Sequence, residues 1–184
     1  MPGTATLVLL ETTTANLRSA SLPAISAARK LAQSTGGPVV GVVIGSGIAA
    51  AAQDAARYVD KVLCCDNAAL AAALAETWAP VLVAAIKKID AAALVASATS
   101  TGKDILPRAA GLMGAGMASE IVAVSGAKTF RRPTYAGNSL TDVEVLTPVV
   151  VATVRQTEFP SAAPAASTGT VEPLEPGPID ALGS

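Results

Sequence analysis

The chain has 184 residues, of which 51% are apolar, 15% charged and 3% aromatic, a size and composition that fit one small-residue-rich domain. It contains no histidine, which excludes a Ser-His-Asp triad, a Cys-His pair and any His-ligated zinc site within it. The net charge of −1 comes without a run of basic residues that could follow a phosphate backbone, so we expect no nucleic-acid partner.

The first two thirds of the chain alternate between short aliphatic runs and longer Ala-rich segments. Strands are predicted at 6–11, 39–44, 61–65 and 92–96, and helices at 21–33, 47–58, 70–76, 80–89 and 103–112. The run at 39–44 is continuously apolar, which is typical of a central strand covered on both faces. This alternation predicts βαβ units and a parallel sheet.

The last third of the chain has a different sequence pattern. Strand-like runs at 120–124, 129–132, 141–145 and 149–154 follow one another without a helical segment, which predicts largely antiparallel pairing in one mixed sheet. Five of the twelve prolines then fall after Phe159, together with Ala, Ser, Thr and Gly. We therefore predict a domain at 1–159 and a Pro/Ala/Ser-rich linker or disordered tail at 160–184.

Two sequence features indicate an intracellular protein that is not inserted in a membrane. Cys64 and Cys65 are adjacent, so their side chains point to opposite faces of a strand and indicate free thiols in a reducing compartment. The N-terminus lacks the charged region of a signal peptide, and the longest apolar stretch, 67–86, is interrupted by Glu76 and Pro80.

One motif suggests a dinucleotide site. Gly45-Ser46-Gly47 begins a G-x-G-x-x-A pattern between a strand and a helix, and Asp66 follows about twenty residues later. The pattern follows the second predicted strand, however, whereas the fingerprint normally occupies the first strand-to-helix turn. We favour the alternative, in which the glycines only permit a tight turn.

A second candidate site lies at residues 97–104, SATSTGKD, between a strand and a helix. It fails as a P-loop because it has Ser97 where glycine is needed and Asp104 where a magnesium-binding hydroxyl is needed. The position still matters, because open α/β sheets bind ligands at the carboxyl ends of their strands. A ligand or partner role competes here with ordinary helix capping for Ser97, Thr99, Thr101, Gly102 and Lys103.

Three stretches resemble the N-terminal domain of the alpha subunit of electron transfer flavoproteins. They are ATSTGKDILPRAAG at 98–111, FRRPTYAGN at 130–138 and VVVATVRQTEF at 149–159. The resemblance covers about residues 4–160. It implies a three-layer open α/β sheet that is similar to Rossmann-like domains and to adenine-nucleotide-binding α/β domains.

The resemblance implies an electron carrier with no catalytic residues or metal site of its own. In this family an alpha/beta heterodimer holds one FAD and passes electrons from acyl-CoA and related dehydrogenases to a quinone oxidoreductase, while the beta subunit holds an AMP. The compartment would be the mitochondrial matrix in a eukaryote and the cytoplasm in a bacterium.

The chain departs from the family pattern because the second domain, which binds most of the FAD, is absent from it. We therefore expect no tightly bound cofactor here, and a scaffold that pairs with a beta subunit. The resemblance makes five residues structural or interface candidates: Arg108, Arg131, Arg132, Tyr135 and Asn138. Tyr135 could bury its ring, and Asn138 suits a tight turn. The competing hypotheses are a stand-alone domain for AMP, ATP or NAD and a purely structural oligomerisation domain.

Overall fold

A computed structural model describes residues 3–179 of the chain. The main sheet has seven strands: β1 Ala5–Leu9, β2 Val39–Gly45, β3 Lys61–Asp66, β4 Ala91–Ser97, β5 Gly116–Ile121, β9 Val150–Val154 and β10 Thr170–Pro173. Their order is β10-β3-β2-β1-β4-β9-β5, and every neighbouring pair is parallel. The helices are α1 Leu22–Thr35, α2 Ala49–Ala55, α3 Ala75–Ile89 and α4 Ser100–Met113.

The main sheet is the middle of three layers. Every residue of β1, β2 and β9 is buried, as expected for strands covered on both faces. One face packs against α1 and α2 and the other against α3 and α4, and many of the helix residues in contact are alanines. Small side chains let helices approach the sheet closely, which explains how a chain with so few aromatic residues fills its core. The predicted three-layer α/β fold is confirmed.

A second, small sheet projects from this core. It consists of β6 Ala123–Val124, β7 Thr129–Thr134 and β8 Ser139–Glu144, in that order and all antiparallel. The strands predicted at 129–132 and 141–145 are antiparallel but form their own sheet, whereas the strand predicted at 120–124 divides between the end of β5, which is parallel in the main sheet, and β6. The expectation for 149–154 is corrected, because β9 lies parallel between β4 and β5. Its continuous apolar run resembles that of β2, and such a strand is stable only where both faces are covered.

One helix replaces the two predicted at 70–76 and 80–89. Helix α3 runs through Pro80, and residues 68–70 form a short 3₁₀ turn capped by the Asn67 side chain, which accepts from the Ala69 amide at 2.9 Å. Pro80 is the sixth residue of α3, so its missing N–H removes only the bond to the carbonyl of Glu76 in the first turn. Pro80 therefore removes one backbone hydrogen bond near the start of α3 and does not end the helix.

Residues 160–174 form a strap along the domain, which we call the C-terminal strap. Ala162 is buried, β10 pairs with β3, and the Leu174 amide donates to the Cys64 carbonyl at 2.9 Å. Lys61 and Glu172 add an ion pair with an N–O distance of 2.7 Å. The strap thus lies against the domain although a linker or disordered tail was predicted for 160–184, because a Pro/Ala/Ser-rich composition does not reveal an edge strand anchored by one leucine. Residues 180–184 lie outside the described residues.

Candidate functional site

A cavity of 320 Å³ opens at the carboxyl ends of β1 and β2, next to the first turn of α4. Its walls carry the Glu11 carboxylate, the Arg18 guanidinium, Ser46, Thr101 and the Trp78 ring. The sheet changes winding direction here, since β1 lies between β2 and β4 and the helices that follow β1 and β4 cover opposite faces. Open α/β sheets place ligand crevices at this switch point.

The loop after β1 is held rigidly at one side of this cavity. The Ser21 hydroxyl accepts from the Glu11 amide at 2.9 Å and donates to the Glu11 carbonyl at 3.2 Å. The Thr99 hydroxyl donates to the Glu11 carboxylate at 2.5 Å. These bonds connect Glu11, which lines the cavity, to the starts of α1 and α4.

The residues predicted at 97–103 do not converge on this cavity. The Ser97 hydroxyl donates to the Ala20 carbonyl, and the Thr99 hydroxyl caps α4 by accepting from the Gly102 amide at 3.0 Å. A Cβ on Gly102 would lie 2.0 Å from the Ser97 carbonyl oxygen, so a larger residue cannot fit there. Of the five, Thr101 lines the cavity, while Lys103 is turned to the other side of α4.

The G-x-G turn is satisfied within the chain. Asp66 accepts from the Gly47 amide at 2.7 Å and from the Ile48 amide at 3.0 Å, so its carboxylate occupies the amides that a pyrophosphate would need. The Gly47 φ of 67° is left-handed and explains the glycine. The amides of Gly47 and Ile48 and the hydroxyl of Thr99 are thus already hydrogen-bonded within the chain. Among the described residues, the G-x-G turn and the loop at 97–103 therefore do not fit the pyrophosphate of an FAD.

Lys103 belongs to a charged group around β5. Its ammonium forms an ion pair with Glu120, whose backbone has a left-handed φ of 53°. Arg132 donates from Nη2 to the Ser119 hydroxyl at 2.8 Å, and the Arg155 amide donates to the Ile121 carbonyl at 3.0 Å. The hydrogen bond from Lys103, with the charges of Arg155 and Arg132, lowers the pKa of Glu120. Sequence reasoning missed Glu120, because its pattern is that of an ordinary strand residue.

The remaining candidates lie on exposed surfaces. Arg131 and Asp142 form a bidentate pair across β7 and β8 with two N–O distances of 2.8 Å, and Arg108 lies exposed on α4. The Asn138 amide donates to the Tyr135 carbonyl at 3.1 Å, which closes the predicted turn. Tyr135 is 84% exposed, so the expectation that it buries its ring does not hold within this chain.

The two cysteines and Trp78 have structural surroundings. Cys65 is fully buried, and burial raises the pKa of its thiol to about 11. Cys64 packs on the opposite face of β3, as predicted. The Trp78 indole donates to the Leu70 carbonyl at 3.1 Å. Among residues 3–179 there is no group of three or more side chains suited to a metal ion, and no helix there is long and apolar enough to span a membrane.

Comparison with known proteins shows which family this chain is similar to. The family model described as "Electron transfer flavoprotein domain" matches residues 6–178. The electron transfer flavoprotein subunit alpha of Pseudomonas aeruginosa is 41% identical over 179 residues, which cover 96% of this chain and 56% of the relative. The probable mitochondrial subunit alpha of Schizosaccharomyces pombe is 35% identical over 94% of this chain and 51% of the relative. The chain thus spans about half the length of the curated relatives it matches.

Proposed function

The chain belongs to the electron transfer flavoprotein domain family, and from this premise we propose that it is the N-terminal domain of an alpha subunit whose role is to bind a beta subunit. In the proposed heterodimer it is a scaffold for an electron carrier and not an enzyme. The flavin would be held mainly by a further alpha-subunit domain, as expected from a chain that matches about half of its relatives.

The observation that carries the proposal is the uncovered small sheet. Five of the six residues of β8 are exposed, and β8 is the outer strand of its sheet. Tyr135 at the hairpin tip is 84% exposed and Leu140 on β8 is 62% exposed. An exposed edge strand with apolar side chains is a template for pairing with another chain. We assign the hairpin of β7 and β8, with Arg131, Arg132 and Asn138, to the beta subunit.

The wider role follows the same proposal. The complex would carry electrons from acyl-CoA and related dehydrogenases to a quinone oxidoreductase, as in fatty acid β-oxidation, with FAD in the assembled complex and AMP in the beta subunit. The work of this chain is positioning, because the cofactor performs the redox chemistry. It would act in the mitochondrial matrix of a eukaryote or the cytoplasm of a bacterium.

The direct test is to mix the purified chain with the beta subunit of the same organism and measure the molar mass of the mixture by light scattering after gel filtration. We expect a one-to-one complex and a chain that binds FAD weakly when alone. Leu140→Asp should weaken the complex, whereas Glu144→Gln on the same strand should have little effect. A stable homodimer that ignores the beta subunit would favour the oligomerisation hypothesis instead.

Nucleotide binding is the competing function, and the cavity beside Glu11 and Arg18 is the observation in its favour. A ligand that binds only the folded state raises the melting temperature with its concentration. We expect AMP, ATP and NAD at millimolar concentration to leave the melting temperature unchanged. A saturable increase that Arg18→Gln abolishes would favour the competing function.

A further inference from the structure

Three basic residues are bonded to one short segment of β5, one of them through its backbone. We call Lys103, Arg132 and Arg155 the basic cluster. Lys103 contacts the Glu120 carboxylate, Arg132 contacts the Ser119 hydroxyl, and the backbone of Arg155 is bonded to that of Ile121. The three residues come from α4, β7 and the end of β9, so only the tertiary fold brings them together.

The basic cluster is short of negative charge. Glu120 is the one carboxylate known to contact it among the described residues, which leaves two positive charges in a chain whose net charge is −1. The Lys103 side chain is 51% exposed and Arg155 is exposed, so solvent and a partner can reach both. A surface excess of one sign attracts groups of the opposite sign over a Debye length of about 10 Å.

The backbone conformation of Glu120, beside the basic cluster, is also unusual. Its φ of 53° is sparsely populated by non-glycine residues, and β5 loses its register with β9 between Ala118 and Ile121. Such strain costs of order 1–3 kcal/mol and persists where the surroundings hold it. Here the residue with this conformation is the one whose carboxylate pairs with Lys103.

The cluster is continuous with the surface assigned to the beta subunit. Arg132 lies on β7, directly opposite Thr141 of β8, and β7 packs against β5. Thr141 is exposed and shares a face of the small sheet with Arg132, so a partner that covers β8 on this face also reaches the cluster. We propose that Lys103, Arg132 and Arg155 receive carboxylates of the beta subunit and accelerate its association. This inference rests on the proposed function.

Carboxylates suit this surface for a chemical reason. A guanidinium presents a planar fork of N–H donors that matches a carboxylate, and two of the three cations are arginines. Charges of this kind at an interface mainly change the association rate and its dependence on salt. Glu120 lowers the positive charge of the cluster, so it should slow the association.

The test measures the association rate of the chain with the beta subunit by stopped flow between 50 and 300 mM NaCl. We expect Arg155→Gln and Lys103→Gln each to lower the rate about threefold at low salt and to flatten its salt dependence. We expect Glu120→Gln to raise the rate, whereas loss of a merely structural ion pair would not. Lys87→Gln is the matched control, since Lys87 is exposed at the opposite end of the sheet.

The outcomes separate the two proposals. If the wild-type chain does not bind the beta subunit, the proposed function fails and this inference fails with it. If the wild type binds but the cluster variants behave like Lys87→Gln, only this inference is overturned. Saturable binding of inorganic pyrophosphate to the chain, lost in Arg155→Gln, would assign the cluster to a phosphate ligand and also overturn it. Melting temperatures equal to that of the wild type would confirm that each variant is folded.

Discussion

The two sheets of this molecule differ in how completely each is covered. In the seven-stranded sheet, β1, β2 and β9 are buried along their whole length, whereas five of the six residues of β8 in the small sheet are exposed. The large sheet has its two edges at β10 and β5 but buries its central strands between helices, whereas the small sheet leaves its outer strand β8 and the side chain of Leu140 in solvent.

The contrast teaches which part of the chain folds the domain and which part is available to a partner. Even at the switch-point crevice, where this fold usually holds a ligand, Asp66, Ser97 and Thr99 are already bonded to other parts of the chain. Phe130, fully buried, and Val124 connect the small sheet to the core.

The substitution Phe130→Ala tests the contrast between the buried and the exposed parts of the small sheet, and it has the largest expected effect. Removing a fully buried ring should lower the free energy of unfolding by about 3–5 kcal/mol, because both transfer energy and packing are lost. Leu140→Ala on the neighbouring strand should change it by less than about 0.5 kcal/mol. Urea unfolding followed by circular dichroism measures both. Similar losses for the two variants would mean that the small sheet is covered within the chain.

The C-terminal strap extends the comparison to a segment whose composition is that of a linker. Leu174 is buried against the α3 and α4 face of the main sheet, so Leu174→Ala should cost about 2–3 kcal/mol. Glu175→Ala, one residue further and exposed, is the control and should cost almost nothing. Unfolding free energies that do not distinguish the two variants would show that the strap contributes little to stability.

Tyr135→Ala tests whether the exposed tip of the small sheet contributes to binding the beta subunit. The ring is 84% exposed, so its removal should leave the unfolding free energy within about 0.5 kcal/mol of the wild type. If the hairpin tip enters the interface, affinity for the beta subunit should fall about tenfold, which corresponds to about 1.4 kcal/mol. Calorimetry against the beta subunit measures this loss. An unchanged affinity would remove Tyr135 from the interface.

The smallest expected effect is the pH dependence of the Lys103–Glu120 pair. The hydrogen bond from Lys103 lowers the pKa of Glu120, so the stabilisation by this pair is present above the pKa of an unfolded-state glutamate and is lost as the pH falls through the lower folded-state pKa. Because both side chains are partly exposed, Lys103→Gln should cost no more than about 0.5 kcal/mol at pH 7. At pH 3 wild type and variant should be closer in stability, and a difference that grows on acidification would contradict this assignment.

Much of the fold could be predicted from the sequence, because apolar runs report burial directly. The four strands of the first two thirds and the helices α1 and α4 lie close to their predicted positions. The parallel placement of β9 could not be predicted, since its neighbours β4 and β5 are chosen by tertiary packing. The strap was missed because backbone pairing at a sheet edge leaves no compositional signal.

The site was less predictable than the fold. Residues 97–103 were correctly placed at the carboxyl end of a strand, but sequence spacing cannot show whether a hydroxyl points to a ligand or to the chain's own carbonyl, as Ser97 does. The basic cluster joins residues 103, 132 and 155, which are distant in sequence. Its geometry depends on a left-handed backbone at Glu120 that no residue type indicates.

The central claim is that the small sheet is the binding surface for a beta subunit, and amide hydrogen exchange tests it most directly. The chain would be measured alone and after mixing with the beta subunit of the same organism. We predict that exchange slows in β8, Ser139–Glu144, and at the adjacent hairpin tip, while β1 and β2 are slow in both states. Complex formation with unchanged exchange in β8, or no complex, would contradict the account.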